Sequence, residues 1–189
     1  MRSKRSRRAG GQAGDTPAPT LGYTIVELLI VMTIILVLVG LILATSGYVH
    51  NKGARSRAEA EIAAMSAALE NYKADNGGYP VDVSVDAKMK SDPADYKGAS
   101  LTLYKALSGD ADNDSNRSAE ATSYFAFKDN QLSPPTGSVV FIKDPFGYSY
   151  GYSTIYQTDP AKGYNPTFDL WSTSGSTVVG GKSGWIKNW

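Results

Sequence analysis

The chain has 189 residues, room for one modest domain and an anchoring segment rather than for several domains. Its formal net charge of +1 is uneven: Arg2, Lys4, Arg5, Arg7 and Arg8 stand against Asp15 in the first 22 residues, a net of +4 that leaves −3 for the rest. There is no cysteine, which excludes a disulfide framework and thiolate metal sites.

In chain order, residues 1–20 are basic and then rich in Gly, Ala and Pro, a composition that does not build a packed core. Alone, RSKRSRR suits a nucleic-acid arm. Directly ahead of an apolar run it reads instead as the cytoplasmic flank of a membrane span, with no nucleic acid expected. Five cations precede the run, against Lys52, Arg55 and Arg57 beyond it, which orients the N-terminus to the cytoplasm and the bulk of the chain across the membrane. The run itself is LGYTIVELLIVMTIILVLVGLILA, Leu21 to Ala44. Tyr23 to Ala44 would span about 33 Å as a helix, enough for a hydrocarbon core of about 30 Å. Within it lies one carboxylate, Glu27. An acid in lipid costs roughly 2.5–3.5 kcal/mol at the membrane centre and less near an end. A plain anchor gains nothing from it, although the helix dipole favours an acid in a first turn. A conventional secretory signal is the rival reading, with Ala44-Thr45-Ser46 as a small-residue cleavage site and Gly47 as the new first residue.

Beyond the span, Ala54, Ala58, Ile62, Met65, Leu69 and Tyr72 recur at spacings of three and four, an apolar stripe that continues the helix. The expected helix runs from Thr24 to Asp75, with Gly47 and Gly53 as weak points and Asn76-Gly77-Gly78 as its stop. Residues 81–99 read as loop. Ser100 is expected to cap a short helix carrying Leu101, Leu103, Tyr104 and Leu107, ended by Gly109. In GDADNDSN, Asp110, Asp112 and Asp114 alternate as in the first half of a calcium loop, but Ser115 replaces its glycine and Ala121 its closing acid. That leaves a solvated acidic loop or a calcium site. The last third reads as strands: Ser138–Lys143, then a turn at Asp144-Pro145-Phe146-Gly147. A half-exposed strand follows, with Tyr148, Tyr150 and Tyr152 alternating, then a turn at Asn165-Pro166 and a strand at Thr167–Ser172. Gly180, Gly181 and Gly184 mark loops before Trp185 and Trp189. The expected class is α+β: a long helix, transmembrane in its first half, packed in its second half on a small antiparallel sheet.

GYTIVELLIV resembles the prepilin motif of type IV pilins and type II secretion pseudopilins, and the later segments NYKADNGGYP, DPFGYSYGY and FDLWSTSG resemble the major, G-type, pseudopilin. Residues 81–137 lie outside the resemblance. It implies cleavage between Gly22 and Tyr23 by a prepilin peptidase, N-methylation of Tyr23 (the family usually has Phe there), and a charge pair in which Glu27, residue five of the mature chain, meets a neighbouring subunit's amino terminus. It also implies partners: other copies in a homopolymer, minor pseudopilins and an inner-membrane assembly platform. The family holds calcium by acids in the loop after its last strand; here Ser172–Gly184 has no carboxylate, so that site does not carry over.

The segments follow as a basic cleaved leader (1–22), a membrane or filament-core helix (23–46), its amphipathic continuation (47–76), a variable region with a short helix (77–137) and a sheet region (138–189). No catalytic constellation is evident. His50 is the one histidine, just beyond the span and without a nucleophile partner, and there is no phosphate-binding glycine pattern or zinc spacing. The expected role is a structural subunit of a secretion pseudopilus, inserted in the inner membrane with its C-terminal domain in the periplasm. A type IV pilus subunit for adhesion, motility or DNA uptake is the alternative, and a secreted binding domain with a conventional signal is the second.

Overall fold

The computed structural model describes residues 22–176 and 181–189. The leader reading (1–21), and Gly180 of the glycine loop, lie outside the described residues. The fold is α+β, with one long N-terminal apolar helix and a small antiparallel sheet. The chain divides into two units, Met1–Thr45 and Ser46–Trp189.

The first unit is the leading part of helix α1 (Ile25–Asn76). Ile25–Leu43 is long and apolar enough to cross a membrane, and none of it is buried by the chain itself. The one hydroxyl in mid-span is satisfied within the helix, where Thr33 Oγ1 donates to the Leu29 carbonyl at 2.8 Å. Lipid therefore has no unpaired side-chain donor to solvate at that position.

In the second unit α1 continues through Gly53 to Asn76, and Gly77 (φ +79°) ends it by donating its N–H to the Lys73 carbonyl at 2.8 Å. The stripe buries as its spacing requires: Ala58, Ile62, Met65, Ala68 and Leu69 join one core with Leu103, Leu107, Ile142, Tyr150, Leu170 and Trp171. Helix α2 (Lys97–Ser108) packs against strands β2 (Phe141–Ile142) and β3 (Gly151–Ser153). The start of α2 corrects the sequence reading. A 3-10 turn, Pro93–Tyr96, capped by Asp92, leads directly into it at Lys97, so Ser100 is an interior residue and not the cap. Ser100 is fully buried because its Oγ accepts the Ile142 N–H at 2.9 Å, tying α2 to β2. Gly109, φ +76°, closes α2 as expected.

Two small antiparallel sheets complete the unit: β1 (Leu132–Ser133) with β2, and the order β3, β4 (Asp169–Ser172), β5 (Ile186–Lys187). In the second, Gly151 faces Trp171 and Ser172 faces Ile186. Strands β1 and β5 have no sequence signal of their own; each is two residues long and exists through its neighbour. The expected strand Ser138–Lys143 shrinks to Phe141–Ile142 plus a bridge between Lys143 and Ser149. The reason is a distant partner: Val139 gives its N–H to the Asn113 carbonyl at 2.7 Å and its carbonyl accepts Asn113 Nδ2 at 2.9 Å, so its ladder groups are spent on the acidic loop. The expected half-exposed tyrosine strand is also corrected. Tyr148 is 38% exposed, but Tyr150 and Tyr152 are fully buried, since α2 and the core cover what a lone hairpin would leave open.

Candidate functional site

The head of α1 is built from four residues. Thr24 precedes the helix and Glu27 lies in its first turn. Thr24 N–H donates to Glu27 Oε2 at 3.1 Å and Thr24 Oγ1 donates to the same oxygen at 3.0 Å. In return Glu27 N–H donates to Thr24 Oγ1 at 3.2 Å. This reciprocal arrangement is a capping box, which satisfies two of the helix's orphan N–H groups. Sequence reasoning took Glu27 alone; Thr24-x-x-Glu27 was the available signal for its partner. The box holds the carboxylate at the N-terminal, electropositive end of the helix dipole. It leaves the carboxylate exposed, with no cation bound to it among the described residues.

Just ahead of the box stand Gly22 and Tyr23. Tyr23 is 80% exposed. A Cβ added at Gly22 would meet nothing within 4 Å, and its φ lies outside the left-handed region. Nothing in the described fold therefore requires glycine at this position. Both residues that flank the Gly22–Tyr23 peptide bond are exposed.

The acidic loop forms a second cluster. Asp110, Asp112 and Asp114 bring one ligand oxygen each within 4.8 Å of one another. Asp110 is buried, with 1% exposure, and its oxygens are already engaged. Oδ2 accepts the Tyr104 hydroxyl at 2.7 Å and the Ser115 N–H at 2.9 Å, and Oδ1 accepts the Asp114 N–H at 3.3 Å. Burial pushes the Asp110 carboxyl up, but hydrogen bonds from Tyr104, Asp112 and the backbone of Ser115 and Asp114 outweigh it and hold the group below its ordinary value. Asp112 is shifted the other way, chiefly by its hydrogen bond with Asp110. Asp110 serves as the anchor that folds the loop over α2. A calcium ion would have to compete with three donors for Asp110, so the donor set fits a self-satisfied loop better than an open cation cage.

The remaining candidates have structural occupations. His50 is exposed on α1 beside a groove shared with Ala54, Arg57, Pro145 and Phe146, with no nucleophile there. Near the end of the segment that follows β4, cations bind backbone carbonyls. Arg55 donates to the Gly184 carbonyl at 2.7 Å, and Lys182 Nζ donates to the carbonyls of Ala87, at 3.0 Å, and Lys88. Burial lowers the Lys182 pKa. Trp171, Trp185 and Trp189 pack among themselves, with Trp171 and Trp185 parallel at 6.0 Å and Tyr96 edge-on to Trp171 at 5.0 Å; they form core rather than a ligand cage. Asp144 caps the DPFG turn: its Oδ1 accepts the Phe146 and Tyr148 N–H groups and its Oδ2 the Ser172 hydroxyl at 2.5 Å. No family model, curated protein or solved structure matches this chain significantly.

Proposed function

We propose that this chain is a pseudopilin-like subunit, cleaved after Gly22 and assembled through its apolar helix into a filament that drives protein export. The observation that carries the reading is the head of α1. A carboxylate is held by a capping box at the first turn of a 19-residue apolar stretch that the chain leaves wholly exposed. Directly ahead of it is a glycine for which the fold has no use. An anchor needs neither feature, whereas a subunit that leaves lipid for a helical bundle uses both. The glycine gives the peptidase its cut, and the new amino group one residue before Thr24 gives Glu27 of a neighbouring copy a charge partner within an apolar bundle. Bundling reburies the helix that extraction from lipid would expose. The subunit's partners are then other copies of itself, the peptidase, minor pseudopilins and the inner-membrane assembly platform. Its second unit lies on the periplasmic side, and its role is assembly rather than catalysis.

The test is an in-frame deletion strain. Loss of a set of exported proteins from the culture supernatant, with surface filaments intact, is the expected result. Loss of surface filaments with an unchanged supernatant would assign the chain to an adhesive or motility pilus instead.

A further inference from the structure

The sequence contains three Asn-x-Ser/Thr tripeptides, the acceptor pattern for N-glycosylation: Asn113-Asp114-Ser115, Asn116-Arg117-Ser118 and Asn165-Pro166-Thr167. Their chemistry and surroundings separate them. Proline at the middle position removes the third. In the first, both reacting groups are committed. Asn113 sits at φ +57°, its Nδ2 donates to the Val139 carbonyl at 2.9 Å, and its own carbonyl accepts the Val139 N–H. The Ser115 hydroxyl donates to the Gly137 carbonyl at 2.7 Å. Glycosylating Asn113 would therefore break the contacts that tie the acidic loop to the segment before β2.

Asn116 differs on each point. It is exposed, as are Arg117 and Ser118. Its backbone N–H is bonded to Asp114 Oδ1 at 2.8 Å, but its Nδ2 reaches only the Asp114 carbonyl, at a marginal 3.5 Å. Presenting the tripeptide to an enzyme would require the Ser118 N–H to leave the Gly109 carbonyl, 3.1 Å away, while the Asp110 anchor stays in place.

We propose that Asn116 is an N-glycosylation acceptor, taking a glycan from a lipid-pyrophosphate-linked oligosaccharide. The step balances without any redox partner. A bond forms between Nδ2 and the anomeric carbon, the bond from that carbon to the pyrophosphate oxygen breaks, Nδ2 gives up one proton, and the lipid pyrophosphate leaves. The assignment rests on the reading above that the second unit lies beyond the cytoplasmic membrane, where such donors face their acceptors.

The test uses the full chain purified from its own membranes. Peptides spanning residues 110–122, cut with a protease other than trypsin because Arg117 lies inside the tripeptide, are sequenced by mass spectrometry. In parallel, protease accessibility in intact spheroplasts locates the second unit. The expected result is a glycan on Asn116 that is lost in Asn116→Gln and in Ser118→Ala and kept in Asn113→Gln. An accessible second unit with only unmodified Asn116, or with a glycan on Asn113, would overturn the assignment and leave the topology standing. A protected second unit would overturn both.

Discussion

Gly151 on β3 lies opposite Trp171 on β4, and the glycine is there because the indole fills the space a side chain would take. A Cβ at 151 would overlap Cε2, Cζ2 and Nε1 of Trp171, where ordinary contact needs roughly 3.5–4.0 Å. The ring has nowhere to retreat. Trp171 is fully buried, with Trp185 stacked parallel at 6.0 Å, Tyr96 edge-on at 5.0 Å and Trp189 at 5.9 Å. Overpacking of this kind costs about 1–3 kcal/mol, and a clash with an immobile ring belongs at the top of that range. For a chain of this size, about 3 kcal/mol corresponds to a fall in Tm of roughly 6–12 °C. Thermal unfolding of the detergent-solubilised chain, followed by tryptophan fluorescence, reads the effect in Gly151→Ala. Gly98→Ala is the control: it lies in α2 with nothing within 4 Å of an added Cβ, so helix propensity should stabilise it by up to about 1 kcal/mol. A Gly151→Ala protein that melts with the parent, or two variants that fall equally, would refute this packing of Trp171.

Tyr104→Phe removes a donor from the buried Asp110 and is expected to cost about 1–3 kcal/mol in denaturant unfolding. Asp110 is held below its ordinary value of 3.8, so its contribution is present above that pH and is lost as pH falls through the folded value; the deficit of the variant should shrink in acid. Asp144 has the opposite sign. Burial raises its carboxyl above the ordinary 3.8 against the bonds from Ser172, Tyr148 and Phe146, so its contribution is present below 3.8 and is lost as pH rises through the folded value. Asp144→Asn should accordingly gain stability relative to the parent between acid and neutral pH, and a constant difference would contradict the shift. At the head of α1, Glu27→Gln keeps an acceptor for Thr24 but loses the charge, whereas Glu27→Ala loses both. Both variants should be cleaved normally and fail to assemble, and wild-type filament yield from Glu27→Gln would reduce the residue to a helix cap. Calorimetric titration of the full chain with millimolar calcium should give no heat, because Asp110 is already occupied by its own loop; a saturable signal lost in Asp112→Asn would restore the cation site.

Much of the architecture could be read where one physical signal dominates. The stripe from Ala58 to Leu69 has helical spacing, and glycines sit at both helix ends, Gly77 and Gly109, with the left-handed φ they were expected to supply. The strands were harder because pairing, not propensity, decides them. Val139 has strong β character but is claimed by Asn113, 26 residues away in the chain, and β5 exists through β4. Ser100 looked like a cap because serine favours caps; its hydroxyl is instead required inside, by an Ile142 N–H that no local pattern announces. At the candidate site Glu27 was legible because lipid makes an acid conspicuous. Thr24 is less conspicuous, since a threonine at a helix start is ordinary until its hydroxyl is found on that acid.

The central claim is that Gly22 and Tyr23 are parted and that helix α1, beginning at Ile25, is what assembles. The most direct measurement is the N-terminal peptide of the chain extracted from its own membranes, read by mass spectrometry. The account expects Tyr23 as the first residue, carrying an added N-methyl group. A chain that keeps Met1, or one that starts at Gly47, would contradict it.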